Sequence, residues 1–328
     1  MSIEVLTPGL STTVQDQGRF GYYNVGLPQG GSLDAYSSQA ANMLVGNTAD
    51  EAVLECTYMG ASLRFDTDSV IAVTGAEAGV SINGTEHPMW ETLTVPAGAT
   101  LEFGMVTKGV RLYIAVRGGI DVPVVLGSRS TYPLGKLGGF EGRKLESGDV
   151  LPIGSTPDAG SSADSTSETE KKTVPLELRP DFSKQQEVRV LMGLYDFRLT
   201  EKGRKNLLEE EWSLTPVADR AGLRYEGPGA EWIEREQPFG AGSDPSNIVD
   251  AGYAVGSIQI PGGTQPIILH RDAVSGGGYA MVATVISADM DKVARATPGT
   301  VTRFIEVTMD EALAARREYK EAIAALWA

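Results

Sequence analysis

The sequence predicts a mainly β protein in two domains, with its sheets curled into barrels or sandwiches. Three observations carry this. Short strand-like runs recur along the chain, with turn signals roughly every 8–12 residues. Turn formers are abundant, with 39 Gly and 17 Pro, while aromatics make up only 7%. Residues 154–172 hold no large apolar side chain, and they divide the 328 residues into two parts of ordinary domain size.

In the first part, strands are expected at 3–6, 53–58, 62–65, 70–74, 79–82, 92–95, 100–103 and 111–116. Gly60, Gly75, Gly98, Gly109 and the pair Gly118-Gly119 punctuate them. Asn83-Gly84 fits a two-residue hairpin turn, whose central positions both need positive φ. One helix interrupts the strands. Ser32 is its expected N-cap, Asp34 complements the dipole in its first turn, and Gly46 is its expected stop. Leu33, Tyr36, Ala40 and Leu44 form its apolar stripe.

In the second part, Val188–Met192, Trp212–Val217, Ser257–Ile260, Pro266–Leu269 and Met281–Ile286 read as strands. Thr200 caps a short helix running to Leu208. Thr308-x-x-Glu311 is a capping box that opens a C-terminal helix, with Leu313, Ile323, Leu326 and Trp327 as its apolar positions. The expected organisation is a first domain at 1–153, a flexible Ser/Asp/Glu-rich linker at 154–186, and a second domain at 187–328. The two halves share a coarse plan but no residue-level repeat.

The composition excludes several partner classes. A formal net charge of −15 repels nucleic acid and anionic lipid. No apolar run reaches the roughly 20 residues that a membrane helix needs. The opening residues Met1–Val5 show neither a basic nor an apolar leader segment, so a cytoplasmic location is expected. Cys56 is the sole cysteine, which excludes an internal disulfide and fits a reducing compartment. With two histidines, His87 and His270, a His/Cys zinc site is excluded on count, and no metal is expected. His87 reads as a surface residue of a hairpin loop. His270 reads as a hydrogen-bonded strand-end histidine, with a site role as the alternative. Cys56 reads as a small buried hydrophobe. There is no P-loop, no Gly-x-Ser-x-Gly elbow and no Met-Lys-Met biotin-carrier tetrapeptide.

Four polar constellations remain. The first runs from Pro8-Gly9 through Arg19 to Asp34. It is either a structural turn with an Arg19–Asp34 pair or an anion site in which Arg19 works beside the helix start. The second is Leu126-Gly127-Ser128-Arg129-Ser130-Thr131, followed by Gly138–Arg143. Here an anion-binding turn and a hydroxyl-capped tight loop stand level. The third is Asp219-Arg220-Ala221-Gly222-Leu223-Arg224. The fourth spans Gln259, Gln265, Asp272 and Gly276-Gly277-Gly278-Tyr279. Polar side chains on or beside a strand need partners if they are buried, whether backbone or ligand.

In this order, these blocks resemble the biotin-dependent carboxyltransferase A/B family. That family is also called allophanate hydrolase subunit 2, and it includes the C subunit of 5-oxoprolinase and the matching region of urea carboxylase. The most specific pieces are Pro8 to Gly21, Ala41-Asn42-Met43-Leu44-Val45-Gly46-Asn47, Gly127–Thr131 and Ser257-Ile258-Gln259-Ile260-Pro261. The resemblance implies two cyclophilin-like β-barrel domains with a few short helices. It also implies a subunit of an ATP-dependent amide or lactam hydrolase. Its partners would be a subunit 1-type protein, like the B subunit of 5-oxoprolinase, and a further large oxoprolinase-type subunit. Carboxyl transfer from carboxybiotin to urea is the alternative. A non-catalytic module that antagonises a kinase inhibitor homologous to subunit 1 is another.

On this resemblance, Asp272, Gln259 and Arg129 are the expected catalytic residues. Arg19, Asp34, Ser130, Arg220, Gln265, Gly278 and Tyr279 are the expected substrate-binding residues, lining a cleft shared with the partner chain. No covalent cofactor is expected. ATP is used by the complex, and carboxybiotin enters only under the transferase reading. The chain departs from the family where Asp-x-Gln-Thr-Thr-Gly-Gly-Tyr-Pro is replaced by Asp272-Ala273-Val274-Ser275-Gly276-Gly277-Gly278-Tyr279-Ala280. It departs again where Asp-Arg-Met-Gly is replaced by Asp219-Arg220-Ala221-Gly222.

Overall fold

The computed structural model describes residues 1–155 and 171–327. By internal contact the chain forms two compact units. The first comprises Met1–Arg19, Gly30–Phe182 and Ile323–Ala328, and the second comprises Phe20–Gln29 and Ser183–Ala322.

The first unit contains β1 (Ser2–Thr7), β2 (Thr12–Gln15), α1 (Ala35–Val45), β3 (Val53–Thr57), β4 (Ser62–Phe65) and β5 (Ser69–Glu77). It continues with β6 (Val80–Ile82), β7 (Thr85–His87), β8 (Thr92–Val95), β9 (Thr100–Phe103), β10 (Lys108–Val116) and β11 (Val150–Pro152). One sheet has the order β11-β1-β4-β9-β6-β7 and the other the order β2-β3-β10-β5-β8. Strand alternation turns Ile3, Val5, Leu63 and Phe65 of one sheet, and Leu54, Ile71, Val73, Leu112 and Ile114 of the other, into one core. The opposite face of the second sheet carries Ala72, Tyr113 and Ala115, which pack with Ala40, Ala41 and Leu44 of α1. A sheet covered on both faces needs apolar residues on both, and this accounts for the unbroken run Tyr113–Val116.

Local chemistry sets the boundaries. Asn83 and Gly84 take φ of 50° and 78°, the pair of left-handed positions that the β6–β7 hairpin requires. Gly46 closes α1 at φ 77°. The expected cap is corrected: Asp34, not Ser32, caps α1, its side chain accepting from the Ser37 amide at 3.1 Å. His87 lies in β7 rather than in a loop. Of the stretch 154–186 expected as a flexible linker, residues 156–170 lie outside the described residues. Its far side is not loose. The Thr92 amide donates to the Lys172 carbonyl, the Val174 amide donates to the Trp90 carbonyl, and Val174 is buried.

The second unit contains β12 (Gln185–Met192), α2 (Glu201–Glu209), β13 (Trp212–Ala218), β14 (Gly222–Glu226), β15 (Asn247–Gly252) and β16 (Ser257–Gln259). It continues with β17 (Ile267–Leu269), β18 (Gly276–Tyr279), β19 (Met281–Val285), α3 (Met290–Arg295) and β20 (Val301–Glu306). A final helix, α4 (Met309–Leu326), follows. Seven strands close a barrel in the order β12-β19-β16-β17-β14-β13-β20, and β15 pairs with β18 as a separate ribbon. Val188, Val190, Trp212, Tyr225, Ile258, Ile268 and Phe304 fill the barrel.

Both expected caps form here. The Thr200 hydroxyl accepts from the Gly203 amide at 3.0 Å, and Glu311 accepts from the Thr308 amide at 2.7 Å. Leu313 does not serve as an apolar anchor of α4, being 41% exposed, whereas Ala312 and Ala315 are buried. No helix among the described residues is long and apolar enough to cross a membrane.

Candidate functional site

The predicted site residues fall into two sets. In the first unit, the Gly127–Thr131 loop is organised by Asp16, which the sequence reading did not single out. Asp16 Oδ1 accepts from the Gly18 amide at 2.8 Å, the Ser128 hydroxyl at 2.7 Å and the Ser130 hydroxyl at 2.5 Å. Its Oδ2 accepts from the Arg129 amide at 2.5 Å. The loop hydroxyls therefore point at a protein carboxylate, which favours the capped-loop reading over an anion-binding turn.

Arg19 is 2% exposed, and it donates from Nε to the Val125 carbonyl and from Nη2 to the Ser130 carbonyl. A Cβ on Gly138, which sits at φ +65°, would lie 2.6 Å from Arg19 Nη2, so this close approach requires glycine. Arg129 reaches the Val122 carbonyl and Asp121. Asp34 caps α1 and also accepts from the Ser37 hydroxyl.

Next to this cap lies a buried network that the sequence reading also missed. Glu55 Oε2 accepts from the Leu33 amide at 2.8 Å and from the Tyr113 hydroxyl at 2.9 Å, and that hydroxyl accepts from the Asp34 amide. Arg111 Nε stands 3.7 Å from Glu55 Oε1. Burial, then the Glu55 and Asp34 charges, hold the Tyr113 phenol well above its usual pKa. This network ties the start of α1 to β3 and β10. A cavity of about 770 Å3 in the first unit is lined by Met43, Asn47, Lys172, Val174, Leu326 and Trp327 among others, and it touches none of the predicted site residues.

In the second unit, Arg220 holds Asp272 with two bonds, Nε to Oδ2 at 2.8 Å and Nη2 to Oδ1 at 3.0 Å. Both Asp272 oxygens are thus engaged by Arg220, which joins the start of β14 to the loop after β17. Arg224 donates to Gln265 Oε1 at 3.2 Å. His270 is fully buried, and its amide bonds the Ala221 carbonyl. The altered stretch after Asp272 forms β18. There the Tyr279 amide donates to the Tyr253 hydroxyl, and the Tyr279 carbonyl accepts from it. Gly278 faces the Ile248 carbonyl of β15, 3.3 Å from where a Cβ would stand.

Gln259 is 5% exposed, and its Nε2 has no hydrogen-bond partner. It shares the outer face of β16 with Ser257, since Ile258 between them points into the barrel. Its side chain lies beside the Tyr253 hydroxyl, whose pKa burial raises and whose neighbours Tyr279 and Gln259 pull back down. Arg198, absent from the sequence-based set, is 2% exposed, lies over the Tyr195 ring and donates from Nη1 to the Asn247 carbonyl.

A family profile described as the carboxyltransferase domain, subdomain A and B, matches residues 25–306. The chain belongs to this carboxyltransferase family. Among relatives, the chain is 33% identical to the C subunit of 5-oxoprolinase from Escherichia coli over 318 residues, covering 96% of this chain and 94% of that protein. It is 35% identical to urea amidolyase of Saccharomyces cerevisiae, over 99% of this chain but only 18% of that protein. The chain thus spans under a fifth of that much longer relative. The crystal structure of Kluyveromyces lactis urea carboxylase superposes with a TM-score of 0.91 at 35% identity, covering 99% of this chain and 29% of that one. The mainly β architecture is therefore that of carboxyltransferase domains. Gln259 and Tyr279 of this carboxyltransferase chain meet around Tyr253, whereas Asp272 is engaged by Arg220.

Proposed function

We propose that the chain is a subunit of an ATP-dependent hydrolase of the 5-oxoprolinase type, opening the C–N bond of a small cyclic or linear amide. The observation that carries this reading is the near end-to-end similarity to the C subunit of 5-oxoprolinase, reaching 94% of that protein. The name of that relative marks it as one part of a multi-subunit enzyme. In this reading the chain works with a subunit 1-type partner and a large subunit, and the assembly uses the ATP.

In this reading Gln259, 5% exposed on β16 beside the Tyr253 hydroxyl, supplies a hydrogen-bond donor for the amide carbonyl oxygen. A preformed donor aimed where negative charge develops on that oxygen lowers the barrier to attack on the carbonyl carbon. Asp272 acts by holding its loop through Arg220. The test is reconstitution of the chain with both partner subunits, followed by assay of ATP-dependent glutamate formation from 5-oxoproline. Glutamate formation that is equally fast without this chain would sink the proposal.

A second reading, carboxyl transfer from carboxybiotin to urea, is favoured by the TM-score of 0.91 to the urea carboxylase. Urea-dependent turnover of carboxybiotin by the chain, with no action on 5-oxoproline, would establish it in place of the first.

A further inference from the structure

The cavity of about 770 Å3 in the first unit has no part in the hydrolase reading. Its size falls within the roughly 300–1,000 Å3 of small-molecule sites. Three segments of that unit build it: the end of α1 at Met43, Gly46 and Asn47, the stretch 171–178, and residues 325–327. The stretch 171–178 is pinned near both ends. The Thr92 amide donates to the Lys172 carbonyl at 2.9 Å, and the Lys172 amide donates to the Thr92 hydroxyl at 3.1 Å. The Tyr36 hydroxyl donates to the Leu178 carbonyl at 2.6 Å. Val174 and Leu326 are buried in one apolar cluster with Ala40, Ala41 and Leu44 of α1. Packing and backbone bonds thus fix the walls, and the space between them is preformed.

The charge of this lining runs against the charge of the chain. The sequence carries 43 acidic and 28 basic residues, a formal net charge of −15. Yet Lys171 and Lys172 line the cavity, and no Asp or Glu among the described residues does. Lys171 Nζ stands 2.7 Å from Glu91, which compensates it. Lys172 has no ion pair among the described residues. An unshared ammonium beside an apolar wall attracts anions. The end of α1 does not compete for it, because its last carbonyls are occupied. The Leu44 carbonyl accepts from the Thr92 hydroxyl at 2.7 Å, the Val45 carbonyl from Arg117 Nε at 2.9 Å, and the Met43 carbonyl from the Gly46 amide at 3.0 Å. The Asn47 side chain is engaged too, donating to the Val116 carbonyl and accepting from the Gly118 amide. What remains to meet a ligand is the Lys172 ammonium and the apolar surface of Met43, Leu178 and Trp327.

We propose that this cavity binds a small organic anion with a flat apolar body, its head against Lys172 and its body against Trp327, Leu178 and Met43. The ammonium supplies a charge-assisted contact to the head, and the indole supplies a broad face for the planar body. A nucleoside phosphate ester and an aryl carboxylate share this chemistry. None of the residues assigned to the amide site lines the cavity, so this proposal and the hydrolase reading stand or fall separately.

The test uses the full chain with 1-anilinonaphthalene-8-sulfonate, a fluorescent aromatic anion, as the probe. One dye is expected to bind per chain, with emission sensitised by tryptophan excitation. Lys172→Gln is expected to weaken dye binding about tenfold, while Lys172→Arg keeps it within about twofold. Trp327→Ala is expected to weaken it about fivefold and to lower the sensitised emission. Phe239, fully exposed in the second unit, controls for dye on bare apolar surface, and Phe239→Ser is expected to leave the titration unchanged. Adenosine monophosphate and indole-3-acetate are then titrated against bound dye. Displacement by either supports the site, and the tighter of the two names the head group, phosphate ester or carboxylate. Displacement by neither means an adventitious dye site only, and overturns the proposal. So does loss of the signal in Phe239→Ser, or unchanged dye affinity in Lys172→Gln. If Lys172→Gln also melts lower with its dye affinity intact, the lysine serves the dipole at the end of α4 instead.

Discussion

Arg220 and Asp272 meet edge to edge, with Nε to Oδ2 at 2.8 Å and Nη2 to Oδ1 at 3.0 Å, and both side chains are largely buried. The pair joins the turn before β14 to the loop after β17, and the Asp272 amide also bonds the Arg220 carbonyl. Removing one partner leaves the other charge buried. Arg220→Met is expected to cost about 3 kcal/mol of stability, while the double change Arg220→Met with Asp272→Leu costs less than the single one. Urea midpoints for the two singles and the double measure this.

Asp16 accepts from four donors on two segments, Gly18 and the Ser128–Ser130 loop. Asp16→Asn turns one acceptor oxygen into a donor that faces the Arg129 amide or the serine hydroxyls. The loss expected is about 3 kcal/mol, together with faster amide hydrogen exchange at Arg129 and Ser130. Protection equal to wild type at those amides would refute the role given to Asp16.

Cys56 is fully buried, and burial pushes its thiol up to about 11. At neutral pH the native chain is therefore expected to resist iodoacetamide, because the thiolate is scarce and shielded. Mass spectrometry should show no modification of the folded protein in an hour and full modification in strong urea.

The Arg143 guanidinium and the Glu146 amide hold the Asp149 carboxyl below its usual value of 3.8. The sign follows directly: a carboxyl whose pKa is lower folded than unfolded adds stability above the unfolded value. That stability is lost as pH falls through 3.8 and then through the folded value. Asp149→Asn is expected to flatten the stability profile below about pH 4 and to leave its shape near pH 7 unchanged. Urea titrations at several pH values check this.

Much of the fold was readable from short-range chemistry. The strands at 53–58 and 111–116, the Asn83-Gly84 turn, Thr200, and the Thr308–Glu311 box all depend on neighbours within a few residues. The start of α1 was misplaced by two positions because Ser32 and Asp34 are both cap-type residues, and only the fold decides which faces Ser37. The site was less legible for the same physical reason. Asp16 finds its loop partners 112 to 114 residues away, and Glu55 finds Tyr113 at a separation of 58. Gln259 was picked out as a polar residue on a strand. Arg198 sits in an aromatic run, Tyr195–Arg198, that reads as ordinary packing. Its burial is a property of the three-dimensional fold, which no local pattern encodes.

The barrel of the second unit is fastened by strands from opposite ends of its sequence, with β12 running parallel to β20 and Gln185 opposite Val301 through Val190 opposite Glu306. On a ribosome this seam stays open until Glu306 has been synthesised. Before that moment the nascent unit is a strip with two bare edges, each able to pair with a neighbouring chain. The last strand is thus a clasp, and closing it is a late, long-range and correspondingly slow event. A stop codon placed just ahead of Val301 would release an unfastened sheet rather than a barrel short of one stave.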